Sequence, residues 1–278
     1  MTRRSTFSRA VTHLLTDLLS NGDAGDLLAY LAAEGSLPEP GTDLEPAAEF
    51  AGTVQEFAAA DPDDLPLLLD LCMELACIAP EDAPTGDPGE FFRICGIRGI
   101  GAIGSLSPGH AVTALKHLGE AATDPRRRIR EAVAMAVRDL LFRQRDTVIP
   151  ELESWVEGGS WPAMQAAAAG VVEPDLLAEA DLAAVALRFH RKILIRIYTA
   201  KERHSDAFHA LRETLGRTLG VVIAAIPTPG FEYLRQLATL DDQDLRWIVQ
   251  ETLNEDRLGI RYPETMQHIR AQMGISGR

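Results

Sequence analysis

Gly99-Ile-Gly101-Ala-Ile-Gly104 has the G-x-G-x-x-G spacing that lets a helix N-terminus approach a dinucleotide pyrophosphate. That chemistry needs a strand before the string and, about 20 residues on, an acid closing a second strand. Here FFRICGIR precedes it and helical sequence follows, with Glu120 in mid-helix, so the glycines read as close packing positions between helices. Among the seven histidines none pairs at i, i+4 beside a glutamate. His110 and His117 share a helix face, but no Cys, Asp or Glu lies between them. There is no G-x-S-x-G elbow around a serine nucleophile. The expectation is no catalytic residue, no metal and no cofactor, although a triad assembled only in space leaves no such spacing.

Arginine offers the remaining chemistry. At about 100° per residue, Arg127, Arg138 and Arg145 fall within about 20° of one another, opposite Ile129, Val133, Ala136 and Leu140. Arg188, Lys192, Arg196 and Arg203 span about 80° of a second helix, with Leu187, Leu194, Ile197 and Tyr198 on the other side. Turned to one side, the two stripes would form a basic groove for a phosphate backbone or an acidic partner. The competing reading is two solvated faces, or pairing with acids such as Glu131 and Asp139. Trp155, Trp161 and Trp247 could stack on bases or anchor a partner. Core packing is the better reading for Trp155 and Trp247, and a helix-start contact for Trp161.

Charge limits the partners. The chain has 27 basic and 41 acidic residues, a net charge of −14, which argues against a generic nucleic-acid coat or a polybasic membrane anchor. Residues 1–123 hold 19 of the acids and only 6 of the bases, so the acidity sits in the N-terminal half. Cys72, Cys77 and Cys95 lack C-x-x-C spacing and read as buried thiols. The amphipathic FSRAVTHLLTDLL near the N-terminus is unlike the apolar stretch of a signal peptide, which points to a cytoplasmic location and no membrane.

The elements that must position these groups are helical throughout, since almost no segment alternates apolar and polar residues. The spacing predicts an all-α chain, with helices near 5–21, 23–34, 45–60, 64–79, 88–106, 108–122, 125–145, 148–157 and 162–172. Beyond Pro174 it predicts a short helix, then helices near 181–203, 206–223, 231–238, 244–256 and 264–273. Residues 35–42, with two prolines, read as a surface loop, and 274–278 as a frayed tail. Pro or Asp opens most of the helices, where proline has no N–H to lose and an Asp side chain can accept one.

A repeat runs through these openings. Asp87-Pro88-x4-Arg93 matches Asp124-Pro125-x4-Arg130 at a step of 37 residues, and Ser160-Trp161-Pro162 follows 36 later. Ser205-Asp206 and Asp241-Asp242 are also 36 apart, followed by Arg212 and Arg246. That step holds two helices, the size of an α-solenoid unit. DPRRRIREAVAMAVRDLL resembles the HEAT-repeat (armadillo-like) family, and GEFFRICGIRGIGAIGSL, SWPAMQAAAAGVV and DDQDLRWIVQETL resemble divergent copies, of which SWPAMQAAAAGVV lacks both Asp and Arg. The resemblance covers about residues 61–256. It implies an α-solenoid of HEAT-like antiparallel helix pairs over 61–273, with residues 1–60 as an acidic N-terminal cap or lobe.

The function it implies is a non-catalytic scaffold that binds a partner protein through one face, with self-association as a further possibility. The candidate binding residues are Arg127, Arg138, Arg145, Arg188, Lys192, Arg196 and Arg203. The alternative is a nucleic-acid-binding HEAT-like protein, in particular an alkylpurine DNA glycosylase, with Trp155, Trp161 and Asp124 or Asp146 as loose candidates. The chain has no match to that family's pattern around its catalytic acid.

Overall fold

Helix openings carry the capping chemistry that the sequence anticipates. In the computed structural model, which describes residues 3–35 and 44–275, Asp87 accepts a hydrogen bond from the Gly89 amide at 2.7 Å, and Ser205 one from Phe208 at 3.2 Å. Asp242 accepts from both Asp244 and Leu245 at 3.0 Å. Each bond satisfies an amide that would have no partner in a first helical turn. Asp64 stands at such a position with helical backbone angles and makes no cap bond.

The described residues form fifteen helices and no strand, so the protein is all-α. In order they are α1 (Arg3–Asn21), α2 (Gly25–Gly35), α3 (Leu44–Ala60), α4 (Leu65–Ala76), α5 (Pro88–Gly104), α6 (Pro108–Ala121), α7 (Arg127–Gly158) and α8 (Trp161–Gly170). There follow α9 (Pro174–Leu177), α10 (Ala180–Thr199), α11 (Asp206–Ala225), α12 (Pro227–Leu237), α13 (Gln243–Leu253), α14 (Asp256–Arg261) and α15 (Pro263–Gln272). The expected loop at 36–42 and residues 276–278 of the expected tail lie outside the described residues.

The chain divides into two compact units, Met1–Glu151 and Leu152–Arg278. In the first, α5 packs against α2, α3, α4 and α6. Ile94, Ile97, Ile100 and Ile103 are fully buried, each contributing about 1.5–3 kcal/mol of transfer free energy. The glycine string belongs to this packing. A Cβ at Gly101 would lie 2.7 Å from the Ala136 methyl, and one at Gly104 would lie 2.6 Å from the Ala114 methyl. In the second unit α11 is central, packed on α8, α10, α12 and α13.

The helices expected at 125–145 and 148–157 meet within α7 at a break at Gln144 (φ −132°, ψ 38°), whose side-chain amide donates to the Ser105 carbonyl at 2.9 Å. Four expectations need correction. The helix expected to reach Arg203 ends at Thr199, because Ala200 is extended (φ −75°, ψ 139°). Sequence 244–256 yields α13 and then a separate α14, and α12 starts at Pro227 instead of Phe231, with Pro227 in the first turn where its missing N–H costs nothing. Of the three thiols, Cys72 and Cys95 are buried but Cys77 is exposed, at the C-cap of α4.

Candidate binding face

Helix α10 carries two rows of side chains with different fates. Its core stripe, including Leu187, Leu194 and Ile197, is buried. One flanking row is Arg188, Lys192 and Arg196. The Lys192 ammonium lies 2.5 Å from both Glu153 and Glu157, and Arg188 lies 3.4 Å from Glu153. Arg196 donates to the Glu157 carbonyl. The hydrogen bond from Lys192 is the main cause that holds the Glu153 carboxyl below its ordinary range. This row is therefore largely neutralised by the last turns of α7.

The opposite row is Arg191, Ile195 and Tyr198, at i, i+4 and i+7. Ile195 is 58% and Tyr198 50% exposed, so Tyr198, expected on the buried side, stands at the surface. The row borders a groove of about 600 Å³ within the second unit, floored by Leu194, Tyr233, Leu237 and Leu245 and rimmed by Arg235 and Gln272. The Arg191 guanidinium carbon stands 5.0 Å from the centre of the Tyr233 ring, a cation–π contact that fixes the cation at the groove edge. Burial pushes the Tyr233 phenol up to about 12, so it stays a neutral donor, 3.5 Å from the Arg191 carbonyl.

The other basic residues singled out from the sequence lie elsewhere. Arg127 is exposed and pairs with Glu131 at 2.8 Å, and half-buried Arg138 pairs with Asp139 at 3.0 Å. Arg145 follows the break at Gln144, so it does not continue the helical register of Arg127 and Arg138. Arg203 lies in the loop after α10, away from the helical row, and bridges Asp242 at 2.7 Å and Asp244 at 3.2 Å. Trp155 is buried; Trp161 meets Phe208 edge-on at 5.5 Å, and Arg212 lies over Trp247 at 4.6 Å.

Two Asp–Arg ties recur, the first around a buried carboxylate and the second part-buried. In the first unit Asp124, just before α7, accepts from the Arg126 amide and takes the Arg126 guanidinium at 2.8 Å and Arg93 at 3.3 Å. Arg126 also donates to the Ala83 carbonyl at 2.7 Å and the Ile78 carbonyl at 3.0 Å. Burial works to raise the Asp124 carboxyl, but the hydrogen bonds from Arg126 outweigh it and hold it below its ordinary range. In the second unit Arg212 reaches Asp244, 32 residues on, at 2.8 Å, as Arg93 reaches Asp124, 31 residues on. Both arginines stand six residues after an Asp at a helix opening, Asp87 and Asp206.

Sequence reasoning missed the groove. Its signal is the i, i+4, i+7 row on α10, but in the helical pattern Tyr198 falls with the buried side. Arg235 lies inside the helix expected at 231–238 but is a lone basic residue there, with no stripe to mark it. Among the described residues no group of three or more His, Cys, Asp or Glu side chains is placed to hold a metal ion, and no helix is long and apolar enough to cross a membrane.

No family model matches the chain, and no curated protein matches it. A crystal structure described as that of an engineered protein aligns over 94% of this chain and 97% of its own, at 14% identity and a TM-score of 0.38.

Proposed function

We propose that the chain is a divergent HEAT-like solenoid acting as a non-catalytic, cytoplasmic scaffold that binds a partner protein through one face of its second unit. The observation that carries this reading is the open groove beside α10, where large apolar side chains face solvent next to two arginines. Exposed Tyr and Arg around an apolar floor are typical of sites that anchor a partner. The solenoid part rests on the two Asp–Arg ties, which join successive helix openings at nearly equal steps in each unit. The three free thiols agree with a reducing compartment. The nucleic-acid reading draws on Arg188, Lys192 and Arg196, of which the first two already meet the carboxylates of Glu153 and Glu157 and the third donates to the Glu157 carbonyl.

Affinity capture from native lysate with the wild-type chain and with Tyr198→Asp tests the reading, because the substitution sits at the surface and leaves the core intact. Co-purifying proteins should be lost from the variant; an unchanged set removes the groove as the binding face. Labelled DNA titrated across about 50–200 mM salt addresses the alternative, since several phosphate contacts give a steep fall over that range. Steeply salt-dependent DNA binding would replace the protein-scaffold reading.

A further inference from the structure

We infer that the groove beside α10 and α12 takes a peptide segment in which an aliphatic or aromatic anchor is flanked by carboxylates. The anchor fills the apolar floor, and the carboxylates pair with Arg191 and Arg235. This deepens the protein-binding reading above and rests on it.

The argument is one of charge against background. Acids outnumber bases 41 to 27 along the chain, yet no Asp or Glu lines this groove while two arginines do. Across the same helix, Arg188 and Lys192 each have a carboxylate within 3.4 Å. Arg191 and Arg235 are exposed, and neither has a salt bridge among the described residues. The ring of Tyr233 braces Arg191 at 5.0 Å, so its guanidinium is held at the rim before a ligand arrives, which lowers the ordering cost of a charge-assisted bond.

The floor specifies the anchor. Leu194, Leu237, Leu240 and Leu245 offer only carbon, and about 600 Å³ is within the usual range for one buried ligand group. The uncharged donors and acceptors Gln236, Thr239 and Gln272 sit among the lining residues, where they can meet peptide N–H and C=O groups. A nucleic-acid strand would use the arginines but leave the leucine floor unfilled.

Fluorescence anisotropy with three short labelled peptides tests the inference: one pairing Glu with Leu and Phe, one with Lys in place of Glu, and one with Ala in place of Leu and Phe. The Glu–Leu–Phe peptide should bind the full-length chain at least about tenfold more tightly than either control. Arg191→Glu/Arg235→Glu should abolish that preference and favour the Lys peptide, and Tyr198→Ala should weaken binding with the thermal melt unchanged. Equal binding of the Glu and Lys peptides, or no binding of the Glu–Leu–Phe peptide up to about 1 mM, overturns the inference. If that happens while Tyr198→Asp still loses its captured proteins, the face binds protein but the acidic–apolar class is wrong. If capture is also unaffected, the protein-binding reading falls with it.

Discussion

Mild acid should destabilise the second unit through one imidazole. His190 is fully buried on α10, with Nδ1 2.8 Å from the Ala186 carbonyl and Nε2 2.8 Å from the Thr218 hydroxyl. A carbonyl only accepts, so Nδ1 carries the proton, while the Thr218 hydroxyl has one proton to place between Nε2 and the Thr214 carbonyl, 2.9 Å away. Burial lowers the His190 pKa from 6.5 to about 4. Between those values the unfolded chain binds a proton that the folded chain refuses, so stability rises with pH there. The contribution is fully present above about pH 6.5 and is lost as pH falls through 4. The shift amounts to about 3 kcal/mol in all, of which about 2 kcal/mol is gone by pH 5, before most carboxylates titrate.

Urea denaturation at pH 7 and pH 5, for wild type and His190→Gln, isolates this contribution, because every other titrating group is common to both proteins. Tryptophan emission is the suitable probe, since Trp155, Trp161 and Trp247 all belong to the second unit. The wild type should lose about 2 kcal/mol more than the variant on going from pH 7 to 5. Equal losses would mean that the imidazole is already protonated in the fold or is solvated, and the argument from burial would be wrong.

Asp124→Asn should cost about 3–5 kcal/mol in a chemical melt followed by circular dichroism, because Arg126, only 2% exposed, loses its counter-ion. A loss below about 1 kcal/mol would show that the Ile78 and Ala83 carbonyls suffice to hold that guanidinium. Gly101→Ala should cost about 1–3 kcal/mol through the clash with Ala136, and isothermal titration with NAD or ATP should give no heat for either protein. A neutral substitution would mean that α5 and α7 are looser than their backbone spacing implies. Binding of the acidic peptide should strengthen between about 10 and 100 mM salt, as the repulsion from a chain of net charge −14 is screened, and weaken above that. A monotonic fall from the lowest salt would show that the local arginines dominate at every range.

Helix identity was legible because it is local. The apolar periodicity and the Asp, Ser and Pro openings place eleven of the helices within a few residues of where they lie. What escaped depends on contacts between distant residues. The break at Gln144 falls beside the helix boundary expected at 145–148, but the bond from its side chain to Ser105, 39 residues back, has no local signal. Arg203 looked like the last member of a helical row, but its partners Asp242 and Asp244 lie about 40 residues ahead, and α10 has already ended. Asp87 and Asp124 gave a periodic opening, whereas the reach of Arg93 to Asp124 appears only once the helices are packed.

The α10 surface shows why counting cations is a poor guide to where a protein is positive. Helical periodicity gathers Arg188, Lys192 and Arg196 into an obvious stripe, and the same periodicity on α7 places Glu153 and Glu157 one turn apart to meet it. A stripe opposite a stripe cancels, leaving exposed pairs worth little to stability or to a ligand. Arg191 is less conspicuous, with Leu187 and Ile195 one turn away on either side of it, and no carboxylate lines the groove it borders. Its neighbour is a ring, which orients a guanidinium without neutralising it. In an acid-rich chain, available positive charge is therefore found where apolar side chains exclude the chain's own acids. The same side chains that exclude them supply the surface on which a partner's apolar anchor gains by burial.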